Sequence, residues 1–182
     1  MKHMTYQHQK DINGCGVACL ANLLDKPYDI VKKDFEKKFY TIDKGIKVFD
    51  MKRYLNGLGL NYELKFFNQK NFNKDDADKY SKIINSITLI AKSEKYPVGH
   101  YLLRTKNGWV DPWHNLPSID NVQASIRKTL PTNTWYVIYP ISNKIGIGYA
   151  TKAEIKAINK GRKEIDSGKF YTLEQVMTEC LA

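Results

Sequence analysis

The chain has few cysteines and no long apolar run, and each of these shortages excludes a class of protein. Only three cysteines occur in 182 residues, which favours a reducing compartment, and 42% hydrophobic residues can bury a core without disulfides. No apolar run approaches the roughly 18 to 20 residues that span a bilayer, so we predict no membrane segment. No apolar stretch follows Lys2, so we predict no signal peptide and a cytoplasmic protein.

Arginine is scarce as well, which bears on the net charge of +10. Only four of the 29 basic residues are arginine, and the lysines are scattered among Asp and Glu instead of forming one stripe. Because base readout and tight phosphate contacts favour arginine, we interpret the charge as that of a solvated surface. A nucleic-acid partner is therefore not the preferred prediction, although weak attraction to acidic partners or to nucleic acid stays open.

The sequence also lacks a metal-ligand pattern. Three residues separate Cys15 from Cys19, and no second pair of Cys or His lies nearby in the sequence. A zinc cluster needs such a second pair, so we predict neither a metal nor another cofactor. Asp75, Asp76 and Asp78 are typical of the first turn of a helix and not of a cation site.

The most informative segment is a thiol between two glycines at the start of an apolar helix. Residues 18–24 fit a buried helix, and the glycines beside Cys15 allow a tight turn that puts its sulfur at the helix N-terminus. The unpaired N–H groups and the positive end of the helix dipole favour the reactive thiolate there. Gln9 could reach the same point and, with the Cys15 N–H, donate hydrogen bonds to an oxyanion. Cys19, one turn further on, is predicted to pack in the core, and Cys180 has no neighbour that suggests a role.

A thiol nucleophile needs a base, and the chain offers only four histidines for that task. His3 and His8 lie in the N-terminal tail and are predicted to be solvated, whereas His114 follows a strand and is predicted to lie in a loop. His100 opens an aromatic and aliphatic run that is typical of a strand. His100 is therefore the predicted base.

The base needs an orienting partner, and the hairpin after His100 supplies two candidates. Asn107-Gly108 is a turn signal, and residues 109–111 form the predicted returning strand. If the turn spans four residues, Asp111 is the diagonal neighbour of His100 on the same face. If the turn spans two residues, Asn115 lies opposite His100 and its amide orients the imidazole. Asp111 is preferred, and Asn115 stays open.

Six short segments that follow one another between residues 9 and 112 can be compared with known families. They are Gln9, the block Gly14-Cys15-Gly16-x-Ala18-Cys19-Leu20, the run Gly45 to Met51 that leads to Leu58-Gly59-Leu60, the run Ile87 to Ala91, Gly99-His100-Tyr101, and Val110-Asp111-Pro112. In this order they resemble the papain-like bacteriocin-leader (double-glycine) peptidases. The short His–strand–turn–strand–Asp-Pro-Trp arrangement also resembles stand-alone papain-like proteins of phages and bacteria.

This resemblance implies four site residues and a reaction. The family places its catalytic cysteine at the first Cys of such a block, a Gln six residues earlier, and a His and an Asp later in the chain. Carried over, these roles fall on Cys15, Gln9, His100 and Asp111. The implied activity is that of a cysteine peptidase that cleaves a peptide or isopeptide bond of a protein or peptide substrate.

The pattern of helices and strands agrees with a papain-like α+β fold, in which N-terminal helices precede a C-terminal antiparallel sheet. Turn residues end the first helix near residues 25–27. Periodicity predicts further helices over residues 28–39, 48–58 and 75–84, and strands over residues 62–66, 87–91, 101–104, 109–111 and 135–139.

Residues 1–141 are the predicted peptidase domain, and residues 142–182 are the predicted linker and helical arm. The glycines of residues 142–148 indicate the linker, and capping signals at residues 151–154 and 172–175 predict two helices. The preferred interpretation is an arm that packs on the domain surface. A protein partner for the arm, or an autoinhibitory arm, stays open.

Two other functions stay open from the sequence. A catalytically quiet papain-like fold of a phage or mobile element could bind and block a host protein. An amine in place of water as the acyl acceptor would make the same site a transglutaminase or acyltransferase. The presence of all four expected residue types in order favours the peptidase.

Overall fold

The structure, a computed structural model, describes residues 6–141. Within them, the helices are α1 (Cys15–Leu24), α2 (Tyr28–Lys38), α3 (Val48–Gly57) and α4 (Lys74–Ser81). The strands are β1 (Tyr62–Phe66), β2 (Ile87–Ile90), β3 (His100–Thr105), β4 (Gly108–Asp111), β5 (Ser125–Arg127) and β6 (Thr134–Pro140). None of these helices has the length and apolar character needed to cross a membrane. The predicted arm, Cys180 and His3 lie outside the described residues.

The six strands form one antiparallel sheet in the order β1-β6-β2-β3-β4-β5. Strand β6 comes last among the described strands but lies between β1 and β2. The sheet is therefore complete only after the chain returns from β5 at the opposite edge. Three helices come before the first strand and pack over a shared core. The predicted α+β class, with N-terminal helices followed by an antiparallel sheet, is confirmed.

Helix α1 is the central element of the core. Residues 16–21 are all buried, and the helix packs against β3 through Tyr101 and Leu103. Its apolar composition explains this position, because a helix that is hydrophobic around its circumference must be covered on every side. The helix ends at Leu24; its C-cap, Asp25, adopts a left-handed conformation with φ of 50°, and Pro27 then precedes α2. The predicted end of the helix is therefore confirmed.

The predicted elements recur with small shifts at their ends, and one strand was missed. Helix α4 begins at Lys74 and ends at Ser81, three residues before the predicted end. Strand β5 has only three residues, of which Ile126 is exposed, so the apolar alternation that marks a strand is absent. Its pairing with β4 comes from the tertiary structure, since Asp111 pairs with Ser125 and Trp109 with Arg127.

Candidate active site

Cys15 is the first residue of α1, with Gly14 as its N-cap. Its thiol is half-buried, and its N–H belongs to the amides that lack a partner within the first turn of the helix. A backbone bond from Gly14 N to Asp11 O at 2.9 Å closes the turn that leads into the helix. The sulfur therefore lies at the helix N-terminus, as the glycine pattern predicted.

The hairpin register places Asp111 beside His100. Thr105 pairs with Gly108, so the turn spans four residues, and the register puts the two residues on diagonal positions of β3 and β4. His100 Nε2 and Asp111 Oδ1 are 2.9 Å apart, and the two side chains are 5% and 0% exposed. The amide of Asn115 instead bonds within its own loop, to Asn121 O and Gln123 N.

The imidazole of His100 also interacts with the thiol of Cys15. Because Nε2 faces Asp111, Nδ1 is the ring nitrogen that is free to bond the sulfur. Burial alone raises the pKa of Cys15, but the hydrogen bond and charge of His100, with backbone bonds from Tyr101 and Gly16, hold that pKa below its ordinary value. Burial alone lowers the pKa of His100, but its bonds to Asp111 and Cys15 raise it to about 9. These opposite shifts favour a thiolate–imidazolium pair at neutral pH.

Asp111 remains a carboxylate although it is fully buried. Burial by itself raises the pKa of Asp111, but bonds from His100 and Arg127 and from the Trp113 N–H keep that pKa well below its usual range. Arg127 Nε and Tyr96 Oη both donate to Asp111 Oδ2, at 2.6 Å and 2.9 Å. The sequence analysis singled out neither residue. Arg127 lies on strand β5, which was not predicted.

Gln9 is 2% exposed and lies at the same cavity as Cys15 and His100. Its backbone N–H donates to Pro112 O at 3.1 Å, which ties it to the end of β4. Its side-chain Nε2 donates to Asp11 O and Ile12 O, both at 2.9 Å. Both amide hydrogens thus have acceptors, so donation to an oxyanion requires one of these bonds to be exchanged. Its Oε1 has no hydrogen-bond partner among residues 6–141.

The turn between Gln9 and Cys15 is held by a partly buried contact with α2. Asp11 accepts a hydrogen bond from Tyr28 Oη at 2.8 Å and another from Lys32 Nζ at 2.9 Å. Burial raises the pKa of Asp11, but these two partners outweigh it and lower that pKa. The Tyr28 hydroxyl lies so close to Gly14 that a Cβ built there would be 2.0 Å from it.

Replacing Gly14 with alanine is expected to destabilise the protein and to disturb Cys15. The added methyl group would meet Tyr28 Oη at 2.0 Å and Asp11 O at 2.9 Å, so the turn must move. Overpacking of this kind costs about 1–3 kcal/mol. Urea unfolding measures the loss, and the alkylation rate of Cys15 reports the displaced thiol.

Gly57→Ala is the matched control, because a Cβ built at Gly57 meets no atom within 4 Å. A helical Gly-to-Ala change in open space is neutral or stabilising by up to about 1 kcal/mol. Equal unfolding free energies for the two variants would contradict the close contact at Gly14.

A cavity of about 630 Å³ opens beside the Cys15–His100 pair. Its exposed wall is mostly apolar. The apolar members include Ile12, Ile46, Val48, Leu89, Val98, Trp113 and Leu116. A small number of polar groups in an apolar cleft is typical of sites that bind and orient an organic substrate.

The remaining candidates lie apart from this chemistry. Cys19 is 1% exposed and packs in the core, as predicted, and burial raises its pKa well above the ordinary value. His114 is exposed, and its loop is closed by a bond from its N–H to Gln123 O at 2.9 Å. In the described part of the chain, no group of three or more His, Cys, Asp or Glu side chains could hold a metal ion.

Comparison with solved structures shows a distant structural likeness to a peptidase domain. No protein-family model matches the chain, and no curated protein matches it significantly. The peptidase domain of Streptococcus ComA, a bifunctional ABC transporter involved in a quorum-sensing pathway, is similar in structure, with a TM-score of 0.46 and 18% identity. The match covers 75% of this chain and 97% of that one. At this distance, the chemistry of the site has to be inferred from the residues of this chain.

Proposed function

We propose that the protein is a cysteine peptidase that cleaves a peptide or isopeptide bond by nucleophilic catalysis. The observation that carries the proposal is the His100 imidazole, which lies between the Cys15 thiol and the Asp111 carboxylate at the edge of an apolar cavity. A nucleophile, a base and a group that orients the base are the three parts that acyl transfer requires.

In the first step, the thiolate of Cys15 attacks the carbonyl carbon of the scissile bond. The C–S bond forms as the carbonyl electrons move to oxygen, and the Cys15 N–H at the helix N-terminus stabilises that oxyanion. Gln9 Nε2 joins it by releasing Asp11 O or Ile12 O. The imidazolium of His100 then gives its proton to the leaving amine, and the C–N bond breaks to leave a thioester on Cys15.

In the second step, water attacks the thioester with His100 as the base. The proton of water moves to Nδ1, the C–S bond breaks, and the carboxylic acid product leaves. Asp111 stabilises the imidazolium in both steps, because its Oδ1 holds Nε2 at 2.9 Å. A primary amine in place of water would give an amide product, so the same site would then act as an acyltransferase.

The proposed chemistry also has consequences for the compartment and the substrate of the protein. An activated free thiol persists only where it is kept reduced, so we propose a cytoplasmic setting. The substrate in this proposal is a peptide or protein whose chain enters the apolar cavity. Gln9, His100 and Asp111 are buried, and Cys15 is half-buried at the cavity wall where such a chain would meet it.

Incubation with a library of proteome-derived peptides tests the proposal. Wild-type protein is expected to produce new N-termini at recurrent sites, and Cys15→Ala is expected to produce at least about 1000-fold fewer, because the nucleophile is gone. The cleavage rate should rise with pH through the lowered pKa of Cys15 and fall through the His100 pKa of about 9, as the proton for the leaving amine is lost.

Cys19→Ala is the control, because it removes a buried thiol one helical turn away without touching His100. Equal cleavage by wild-type and Cys15→Ala protein would exclude Cys15 as the nucleophile. A complete lack of cleavage, together with ordinary thiol behaviour of Cys15, would favour the hypothesis of a quiet, protein-binding fold.

A further inference from the structure

Tyr96 and Arg127 enclose the side of Asp111 that faces away from His100. Tyr96 Oη donates to Asp111 Oδ2 at 2.9 Å, and Arg127 Nε donates to the same oxygen at 2.6 Å. Arg127 Nη2 also donates to Tyr96 Oη at 3.0 Å. The three side chains therefore form a closed ring of hydrogen bonds around one carboxylate oxygen.

Tyr96 contacts the base directly as well. Its ring lies parallel to the His100 ring, with the centroids 4.5 Å apart and 9° between the planes. The turn from Tyr96 to Gly99 brings the two rings together, since Gly99 N donates to Tyr96 O at 3.0 Å. Gly99 has a φ of 84°, and a Cβ there would lie 2.9 Å from Ile90 O, so the turn requires glycine. Tyr96 thus covers one face of the imidazole.

The two oxygens of Asp111 divide their partners evenly. Oδ1 accepts from His100 Nε2 at 2.9 Å and from Trp113 N at 3.0 Å, and Oδ2 accepts from Tyr96 and Arg127. Rotation of the carboxylate would break bonds on both oxygens at once. Charge-assisted bonds of this kind are about twice as strong as neutral ones, so they set the orientation of the carboxylate.

The strand register explains how Arg127 reaches this position. Asp111 pairs with Ser125 of β5, and Arg127 lies two residues further along that strand. Arg127 is therefore a diagonal neighbour of Asp111 on β5, as His100 is on β3. Both diagonal neighbours use the same carboxylate, each through a different oxygen.

We propose that Tyr96 and Arg127 are positioning residues, which hold Asp111 and the His100 ring in the geometry that activates Cys15. The inference rests on the proposed function, because a positioned base matters only if Cys15 is a nucleophile. The charged or titratable groups that face His100 are Cys15 from α1, Asp111 from β4 and Tyr96 from the preceding turn, and Arg127 of β5 acts through Asp111.

The test measures alkylation of Cys15 by iodoacetamide between pH 4 and 10 and needs no substrate. Peptide mass spectrometry assigns the label to each cysteine, and Cys19 serves as a folding reporter because it is 1% exposed in the native protein. The quantity compared is the pH midpoint at which Cys15 becomes reactive. A purely structural role would change stability and leave this midpoint in place.

We expect Tyr96→Leu and Arg127→Met each to raise the midpoint by about one pH unit, with labelling at low pH slower by about tenfold or more. Either change frees Asp111 to turn, so His100 no longer pairs firmly with the thiolate. Tyr96→Phe keeps the ring over His100 and loses only the hydroxyl bond to Asp111, so its midpoint should also rise, but by less than that of Tyr96→Leu. This conservative variant separates the stacking from the hydrogen bond.

The matched controls are Tyr54→Leu and Arg104→Met. Tyr54 is 3% exposed and donates to Asp34, and Arg104 is half-buried over the Trp109 ring at 4.3 Å. Both variants remove comparable contacts outside the network of Asp111 and should keep the wild-type midpoint.

The outcomes separate this inference from the proposed function. A wild-type midpoint at the ordinary value of a free thiol, about 8.5, would overturn both. A low wild-type midpoint that stays in place or falls in Tyr96→Leu and Arg127→Met, with Cys19 still protected, would overturn only the positioning role. A rise in both variants, without a rise in the two controls, supports it.

Discussion

Replacing His100 with alanine is expected to slow the alkylation of Cys15 at pH 6 by about 10- to 100-fold. The imidazolium is the main group that lowers the pKa of Cys15 against the effect of burial. Without it, burial dominates, and a thiol with an ordinary pKa of about 8.5 is less than about 1% ionised at pH 6. The lower nucleophilicity of a low-pKa thiolate offsets part of this difference, which sets the range given.

The measurement compares rates of iodoacetamide labelling for wild-type and His100→Ala protein at pH 6 and at pH 10. The ratio of the two rates should shrink at pH 10, where a larger share of the thiol of His100→Ala is ionised. His114→Ala is the control, because His114 is exposed and lies in the loop after β4. If His100→Ala labels as fast as wild type at pH 6, the ion pair does not activate Cys15 and the peptidase mechanism is wrong.

Asp111→Asn is expected to lower the free energy of unfolding by about 3 kcal/mol or more at pH 6. The carboxylate is fully buried and compensates two neighbours, His100 at 2.9 Å and Arg127 at 2.6 Å. Removing one partner of a buried charge network typically costs about 3–5 kcal/mol, since the remaining charges lose their compensation. Peptide cleavage should fall as well, because an amide does not stabilise the imidazolium as a carboxylate does.

The pH dependence of this loss in unfolding free energy follows from the pKa shifts of Asp111 and His100. The pKa of Asp111 is lower in the folded protein than its unfolded value of about 3.9, so its contribution is present above that pH and disappears as the pH falls. The pKa of His100 is raised to about 9, so its contribution is complete below about 6.5 and is lost as the pH rises through 9. The difference between wild type and Asp111→Asn should therefore be largest between about pH 5 and 6.5.

Urea unfolding at a series of pH values measures this difference, with Asp78→Asn as the control. Asp78 pairs with Lys82 at 2.8 Å on the surface of α4, so its loss should cost less than about 1 kcal/mol. A difference between wild type and Asp111→Asn that is small, or that does not vary with pH, would show that Asp111 is not held as a charged partner.

The chemical character of the site could be predicted from short segments of sequence. Glycines around Cys15 and the apolar run after it determine a turn and a buried helix, because backbone freedom and hydrophobic burial act over a few residues. The turn signal at Asn107-Gly108 predicts that two strands come together, and it narrows the partner of His100 to Asp111 or Asn115; the register of the hairpin then selects Asp111. The helices α2 and α3 and the strand β1 were predictable for the same reason.

The surroundings of these residues depend on contacts between distant parts of the chain. Arg127 reaches Asp111 through β5, a strand of three residues that has no apolar alternation and exists because β4 offers it an edge. Tyr28, on a different helix, holds the turn before Cys15, and Gln9 uses both amide hydrogens on that turn. The sequence by itself determined which residues are the candidates for catalysis and which elements bear them. Only the tertiary structure decided which groups hold the Asp111 carboxylate, the His100 imidazole and the Gln9 amide in place. Hydrogen bonds between residues distant in the sequence form only after the strands and helices have come together.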